Sequence, residues 1–217
     1  YRVQLDDTAN FASPLADTVV GTATYTAATL AEETYNWRVK AIDAAGNQSG
    51  YSAPWTFTVD TTAPTGLSVS IAGGATWTNT TGVTLTMGAI GASHMRFKNE
   101  TGGSWSPYEI YTTSKTWSLL NTQGTRTVFV QFKDLAGNET NGTTEDTIIL
   151  DTVAPTSPSI TINGGTYTTS TSVTLATSAS DATSGMSQMR FKNDSGSYAS
   201  WVAYATSANW TLVNSQG

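Results

Sequence analysis

The 217-residue sequence contains no cysteine and a single histidine. Disulfides, metal thiolates and a thiol nucleophile are therefore excluded, and so are metal sites that need two histidines. Only 12% of the residues are charged, and the net charge is −6. An acidic chain lacks the basic surface that nucleic acids and anionic membranes require, so we expect neither as a partner.

Long apolar runs and helical periodicity are also missing. No apolar run approaches the roughly 18 residues that a membrane-spanning helix needs, so we expect no membrane insertion in this segment. The sequence instead has 41 threonines and 19 glycines. β-Branched side chains favour strands, and glycine is frequent in turns. The composition predicts an all-β protein.

Two sequence motifs recur at a fixed spacing along the chain. D-x-A-G-N begins at Asp43 and again at Asp134, and D-T-x-A-P-T begins at Asp60 and again at Asp151, 91 positions later in both cases. Further recurrences include MRFKN at 95–99 and 189–193, and NTQG at 121–124, which returns as NSQG at 214–217. A unit of about 90 residues is too long for a solenoid repeat and fits a small domain used in tandem.

Apolar residues alternate with polar ones inside each unit, as in VFVQFK at 128–133. Because successive side chains of a strand point to opposite faces, one set packs inward. Short strands separated by turn residues indicate an antiparallel two-sheet sandwich. The residues that we expect to be buried are Trp37, Val39, Val83, Leu85, Val128, Val130, Phe132 and Phe191.

The segment from Leu30 to Ala41, with its turn at 43–47, resembles the F strand and F–G loop of a fibronectin type III domain. Leu30 and Tyr35 match the residues around that domain's tyrosine corner. The later units resemble Ig-like repeats of large bacterial and archaeal surface proteins through MRFKN, a Trp-x-x-Tyr segment, VFVQFKDLAGN and D-T-x-A-P-T. The resemblance implies tandem antiparallel β-sandwich (Ig-like/fibronectin III-like) domains in a rod.

Three domains follow from the repeat. Residues 1–62 are expected to be the C-terminal part of a fibronectin III-like domain, 63–153 a complete Ig-like domain, and 154–217 the N-terminal part of a third. The first would lack its opening strands and the third its strands F and G. We therefore expect a window from a longer repeat protein, with the missing strands supplied by further chain or by a neighbouring subunit in a filament.

The recurring phrases have a structural explanation. In D-x-A-G-N the aspartate can accept hydrogen bonds from the backbone two residues on, while glycine and asparagine tolerate positive φ, as a tight F–G hairpin requires. In D-T-x-A-P-T the proline ends the strand and keeps the link between domains short and stiff.

No catalytic constellation is recognisable. His94 begins a predicted strand in one unit only, and packing or surface exposure explains it better than a Ser–His–Asp triad. Glu32–Glu33 and Glu145–Asp146 are sequence neighbours, which point in opposite directions in an extended chain and cannot flank one substrate bond. We expect no enzyme activity.

The junctions between domains carry carboxylates. In such sandwiches the F–G and B–C loops face the preceding linker, so Asp134 should approach Asp60 and Asp181 should approach Asp151. Ca²⁺ takes six to eight oxygen ligands, and junctional aspartates with loop carbonyls can provide them. The alternative is that each aspartate only caps its own turn. Possible Ca²⁺ is the one cofactor indicated.

Seven tryptophans raise a second possibility, because exposed aromatic faces stack on sugars. The alternative is core or hairpin packing. The residues that could form an exposed glycan-binding strip are Trp77, Trp105, Tyr108, Trp201 and Tyr204.

We therefore expect a non-catalytic structural segment of an extracellular microbial surface or filament protein, acting as a spacer, fibre or lattice element, or adhesin stalk. Its partners would be neighbouring repeats of the same chain, with a homo-oligomer or filament and glycans as further candidates. The alternative is an accessory carbohydrate-binding or spacer module of a secreted polysaccharide-degrading enzyme.

Overall fold

A computed structural model describes residues 1–162 and 165–213. These residues form seventeen β-strands and no helix, which confirms the all-β prediction. Every strand pairing lies within residues 1–62, 63–153 or 154–213, which are called the first, middle and last units below. The recurring residues 214–217 lie outside the described part.

The first unit is one antiparallel sheet with the strand order β2-β1-β3-β4. Its strands are β1 (Arg2–Asp6), β2 (Ala16–Val19), β3 (Glu33–Lys40) and β4 (Trp55–Val59). The resemblance to a tyrosine corner is confirmed, because the buried Tyr35 hydroxyl donates a 3.1 Å hydrogen bond to the carbonyl of Ala31.

The middle unit is a sandwich of two sheets, with the orders β10-β7-β5 and β6-β12-β11-β8-β9. Only β6 and β12 pair in parallel. The strands are β5 (Thr65–Ile71), β6 (Trp77–Thr78), β7 (Gly82–Ile90), β8 (His94–Asn99), β9 (Glu109–Ile110), β10 (Ser114–Ser118), β11 (Gly124–Lys133) and β12 (Thr144–Leu150).

The core of the middle unit lies between its two sheets. One sheet contributes Ile71, Val83 and Leu85, and the other contributes inward residues of β8, β11 and β12. Val128, Val130 and Phe132 are all 0% exposed, so the predicted phase of β11 is confirmed. Burial of Val83 and Leu85 is confirmed as well.

The last unit repeats part of this arrangement. A sheet with the order β13-β14-β17 corresponds to β5-β7-β10, and a two-stranded β15-β16 sheet corresponds to β8-β9. The strands are β13 (Thr156–Ile162), β14 (Ser172–Ser180), β15 (Gln188–Met189), β16 (Val202–Ala203) and β17 (Ser207–Thr211).

Three burial predictions are wrong. Trp37 is 38% exposed, and Val39 and Phe191 are only partly buried. Trp37 and Val39 do share a face with Val3 and Leu5, but that face lines an open groove with no second sheet over it among the described residues. Phe191 contacts Trp210 at a centroid distance of 5.5 Å, while no strand corresponding to β11 covers it in the described residues.

Phe129 departs from the simple alternation. It lies on the outward phase of β11, yet it is only 7% exposed. Lys98 is its cross-strand partner on β8, and the Lys98 ammonium lies 4.9 Å from the Phe129 ring centroid, so a cation–π contact covers this outward aromatic.

Fine details recur between units as well. The β5–β7 pairing is irregular between Thr65 and Ser68, and β13–β14 is irregular between Thr156 and Ser159, the positions 91 residues later. Gly66 has φ +62° at the first irregularity, and its counterpart Ser157 has φ +52°. Glycine adopts this backbone without steric cost, whereas serine does not.

An asparagine–tryptophan hydrogen bond ties the two sheets of the middle unit together. The Trp117 indole donates to Asn99 Oδ1 at 2.8 Å, and Asn99 Nδ2 donates to the carbonyl of Ser118 at 2.9 Å. In the last unit Trp210 and Asn193 make the equivalent bond at 2.8 Å.

Candidate functional site: the junctions between units

The D-x-A-G-N turns fold as the sequence indicates. Asp134 Oδ1 accepts hydrogen bonds from the backbone N–H of Gly137 at 2.7 Å and of Asn138 at 2.9 Å, and Asn138 Nδ2 donates to Asp134 Oδ2 at 2.8 Å. Asp43 makes the matching bonds with Asn47 in the first unit. Each aspartate therefore caps its own turn.

One side chain of the preceding unit forms hydrogen bonds with each linker. Glu32 accepts hydrogen bonds from the Thr61 N–H at 3.0 Å, from the Thr61 hydroxyl and from the Thr62 hydroxyl at 2.7 Å. Gln123 occupies the matching place at the second junction. Its Oε1 accepts from the Thr152 N–H at 2.9 Å, and its Nε2 donates to Thr152 Oγ1 at 2.7 Å.

The following unit contacts each linker from its other side. Asn138, in the F–G turn of the middle unit, donates to the carbonyl of Asp60 at 2.9 Å. At the second junction the Ser184 N–H donates to Asp151 Oδ2 at 3.0 Å. Both D-T-x-A-P-T segments are thus hydrogen-bonded by the unit before and the unit after.

The four junction aspartates are placed as follows. Asp134 is connected to the Asp60 segment through Asn138, whose Nδ2 donates to both, and Asp60 Oδ1 accepts from the Thr62 N–H at 3.1 Å. Asp151 and Asp181 come closer together, because the Ser184 N–H donates to an oxygen of each. In residues 1–162 and 165–213 no group of three or more His, Cys, Asp or Glu side chains could hold a metal ion.

Hydrogen bonding keeps two of these carboxylates charged. For Asp134 the largest influence is burial, which opposes the charged form, but the hydrogen bonds from Asn138 and Gly137 outweigh it and lower the pKa. For Asp151 the Ser184 side chain, followed by the Val153 N–H, lowers the pKa. Carboxylates that accept several N–H bonds favour their ionised form.

The aromatic residues of the expected glycan strip do not form one surface. Arg96 stacks on both Trp105 and Tyr108, with centroid distances of 5.1 Å and 4.5 Å. Lys98 lies 5.1 Å from Trp105, and Lys133 lies 4.1 Å from Tyr108. Cations from β8 and β11 therefore alternate with two aromatic rings from the segment between β8 and β9, which is an internal cation–π ladder.

Burial in this ladder, together with the neighbouring Glu139 carboxylate, raises the pKa of Tyr108 to about 12. Its hydroxyl stays neutral at physiological pH. The ring thus remains an uncharged member of the ladder between Arg96 and Lys133.

The last unit has a corresponding ladder that includes a residue which the sequence interpretation missed. Arg190 lies over Trp201 at 4.4 Å and over Tyr198 at 4.5 Å. Tyr198 corresponds to Trp105, because Ser106 and Ala199 each donate a backbone hydrogen bond to the matching phenylalanine carbonyl. The shared aromatic-x-x-aromatic spacing of W-S-P-Y and Y-A-S-W could have revealed this pairing.

Two members of the expected strip lie elsewhere. The Tyr204 hydroxyl accepts a 3.2 Å hydrogen bond from the Ala179 N–H, which ties it to β14. Trp77 is 43% exposed on β6, which pairs with β12 rather than with β8. The structure therefore brings Trp105 together with Tyr108 and leaves the other three apart from them.

No protein-family model and no curated protein matches this chain. Among solved structures, the chain is similar to fibronectin(III)-like modules of Clostridium thermocellum CbhA, with 16% identity, 69% of this chain and 77% of that chain covered, and a TM-score of 0.39. It is also similar to the FN1–FN3 domains of chicken CNTN1, with 12% identity, 98% and 81% covered, and a TM-score of 0.34. The likeness concerns the fold alone.

Proposed function

We propose that this chain is a non-catalytic structural segment of an extracellular microbial surface or filament protein, in which it acts as a spacer that keeps neighbouring domains apart and in line. The observation that carries the proposal is the hydrogen bonding of both linkers from both sides. A linker that only tethers independent domains needs no such contacts, whereas a spacer must resist bending.

Backbone ¹⁵N relaxation tests the spacer role. If the linkers hold the units together, one rotational diffusion tensor should fit the amides of all three units. Separate and faster tumbling of each unit would contradict the proposal. A variant with a Gly-Ser-Gly-Ser insertion after Thr152 is the control, because a flexible insert should free the last unit alone.

The alternative role in carbohydrate binding has less support. In the middle unit the faces of Trp105 and Tyr108 already hold Arg96, Lys98 or Lys133. Trp201 also has Arg190 over its ring, at 4.4 Å, but it is 54% exposed, so it is the member of the expected strip that offers the most surface for sugar stacking. Affinity electrophoresis in polysaccharide gels distinguishes the roles, because retardation that Trp201→Ala abolishes would favour the accessory module.

Calcium at the junctions remains a proposal, and the pair Asp151 with Asp181 suits it best. Their carboxylates share the Ser184 N–H, so a bound cation would reduce the repulsion between them. Isothermal titration of the chain with CaCl₂ tests it, since Asp181→Asn should remove any heat of binding.

Extracellular location is part of the same proposal. No helix in the described ranges is long and apolar enough to span a membrane. The low charge, the high threonine content and the absence of cysteine are compatible with a surface repeat protein.

A further inference from the structure

Asparagine is followed directly by glycine at two places, Asn141–Gly142 and Asn163–Gly164. In such a pair the backbone nitrogen of the glycine can attack the side-chain amide carbon of the asparagine, because glycine has no Cβ to obstruct the approach. Asn163 and Gly164 lie outside the described residues. Asn141 and Gly142 lie in the segment between β11 and β12 of the middle unit.

The surroundings of Gly142 leave room for this attack. Asn141, Gly142 and Thr143 are all exposed. Apart from the chain neighbours of Gly142, a Cβ placed on this residue would meet no atom within 4 Å. Gly142 has φ +88°, and glycine adopts positive and negative φ about equally well, so the backbone of this pair is not confined to one conformation.

No hydrogen bond restrains the two reacting groups. Among the described residues, neither the side-chain amide of Asn141 nor the Gly142 N–H has a hydrogen-bond partner. Asn138, three positions earlier, shows the opposite arrangement, because its Nδ2 donates to Asp134 Oδ2 at 2.8 Å and to the Asp60 carbonyl at 2.9 Å. A glutamate also follows Asn138, and its side chain hinders attack by the backbone nitrogen. The fold therefore holds Asn138 in place and leaves Asn141 free to react.

We propose that Asn141 is a site of spontaneous deamidation, a modification that needs water and no enzyme. The Gly142 nitrogen bonds to Asn141 Cγ and gives up its proton, the Cγ–Nδ2 bond breaks, and Nδ2 leaves as ammonia. The product is a five-membered succinimide ring. Water then opens the ring at Cγ, which gives aspartate, or at the backbone carbonyl carbon of residue 141, which gives isoaspartate. The chain takes up water and releases ammonia, and no group is oxidised or reduced.

The modification adds a charge and alters the backbone at one point. Either product carries a carboxylate in place of a neutral amide, so the net charge changes from −6 to −7. In isoaspartate the backbone runs through Cβ and Cγ, which lengthens it by one carbon. The neighbouring Thr140 is buried, and its N–H donates to the Phe132 carbonyl at 2.9 Å, so we expect the change to stay within the exposed segment. The reaction is independent of the proposed spacer function.

The test uses the full chain with Asn163→Ala. Alanine is the residue at the matching position of the middle unit, Ala72, and the substitution leaves Asn141–Gly142 as the single Asn–Gly pair. The chain is incubated at mildly alkaline pH and physiological temperature, digested, and analysed by mass spectrometry with fragmentation. Near-ultraviolet circular dichroism confirms that the chain remains folded. A synthetic peptide of residues 136–146 is the unstructured reference.

Asn141 in the folded chain should convert at a rate within a few-fold of its rate in the peptide, because no contact in the fold restrains it. Both aspartate and isoaspartate should form, and Asn138 should stay unchanged over the same time. Gly142→Ala should slow the conversion many-fold, because its Cβ obstructs the attack. Asn141→Gln should almost abolish the reaction, because the longer side chain would have to close a six-membered ring.

Three results would overturn the proposal. Asn141 that stays intact in the folded chain while the peptide converts would show that the fold protects this residue. Conversion at Asn138 in preference to Asn141 would show that the hydrogen bonds do not decide the site. Equal rates in the Gly142→Ala chain and in its parent would exclude attack by the nitrogen of residue 142.

Discussion

Phe132 is the residue whose truncation should most clearly destabilise the middle unit. Its side chain is 0% exposed, and its ring meets Tyr111 edge-on at a centroid distance of 5.8 Å. Phe132→Ala removes a fully buried ring from between two hydrogen-bonded sheets that cannot close on the space. Loss of transfer free energy and the cavity together should cost about 3–5 kcal/mol.

The measurement is urea unfolding followed by tryptophan fluorescence. Trp117 reports on the middle unit because its ring lies 5.3 Å from that of Phe97. For a domain of this size each kcal/mol of lost unfolding free energy lowers the melting temperature by about 4–8 °C, so the expected drop in melting temperature is large. Leu135→Ala is the control, since Leu135 is 88% exposed in the F–G turn and its truncation should change stability by less than about 0.5 kcal/mol.

If Phe132→Ala lowered the free energy of unfolding by less than about 1 kcal/mol, the assignment of Phe132 to the core would be refuted. If Phe132→Ala lowered the free energy of unfolding as little as Leu135→Ala, the inward phase assigned to Phe132 on β11 would be wrong.

Four further predictions follow from the described contacts. Gly66→Ser should destabilise the middle unit, because a Cβ there would lie 3.1 Å from Ile90 at φ +62°, whereas Ser157→Gly should raise the melting temperature of the last unit by relieving its positive φ. Asn99→Ala should cost about 1–3 kcal/mol in urea unfolding, because it leaves the half-buried indole N–H unpaired. Because the pKa of Asp134 is lowered, its contribution to stability is lost as the pH falls through that lowered value. The melting temperature of Asp134→Asn should therefore fall less steeply in acid than that of the unsubstituted chain. If Asp151 and Asp181 bind calcium, a chelator should lower the melting temperature by several degrees, whereas an unchanged melting temperature would show that hydrogen bonds alone hold the junction carboxylates.

The sequence alone predicts the strand phase well where a sandwich is closed. Val128, Val130 and Phe132 alternate with outward residues, and alternation maps directly onto the two faces of a strand. The same reasoning fails for Trp37, because phase determines which face a side chain occupies and not what covers that face. Burial depends on the opposing sheet, which the pattern of one strand does not contain.

The ladder and the linker contacts were harder to predict. The ladder requires that Arg96 and Lys98 on β8 lie beside Lys133 on β11, and cross-strand register is not visible in either segment alone. Glu32 and Gln123 differ in residue type, and their partners lie 29 residues away. The 91-residue offset, applied to every polar residue near a linker, is the signal that would have found this pair.

Amide hydrogen exchange at Thr61 and Thr152 tests the central claim, that hydrogen bonds from the neighbouring units hold the linkers. Both N–H groups donate to a side chain of the preceding unit, at 3.0 Å and 2.9 Å. At neutral pH both amides should exchange more slowly than in the free linker peptides, and Glu32→Ala and Gln123→Ala should each remove the protection at one site only. Exchange at the free-peptide rate in the intact chain would contradict the account.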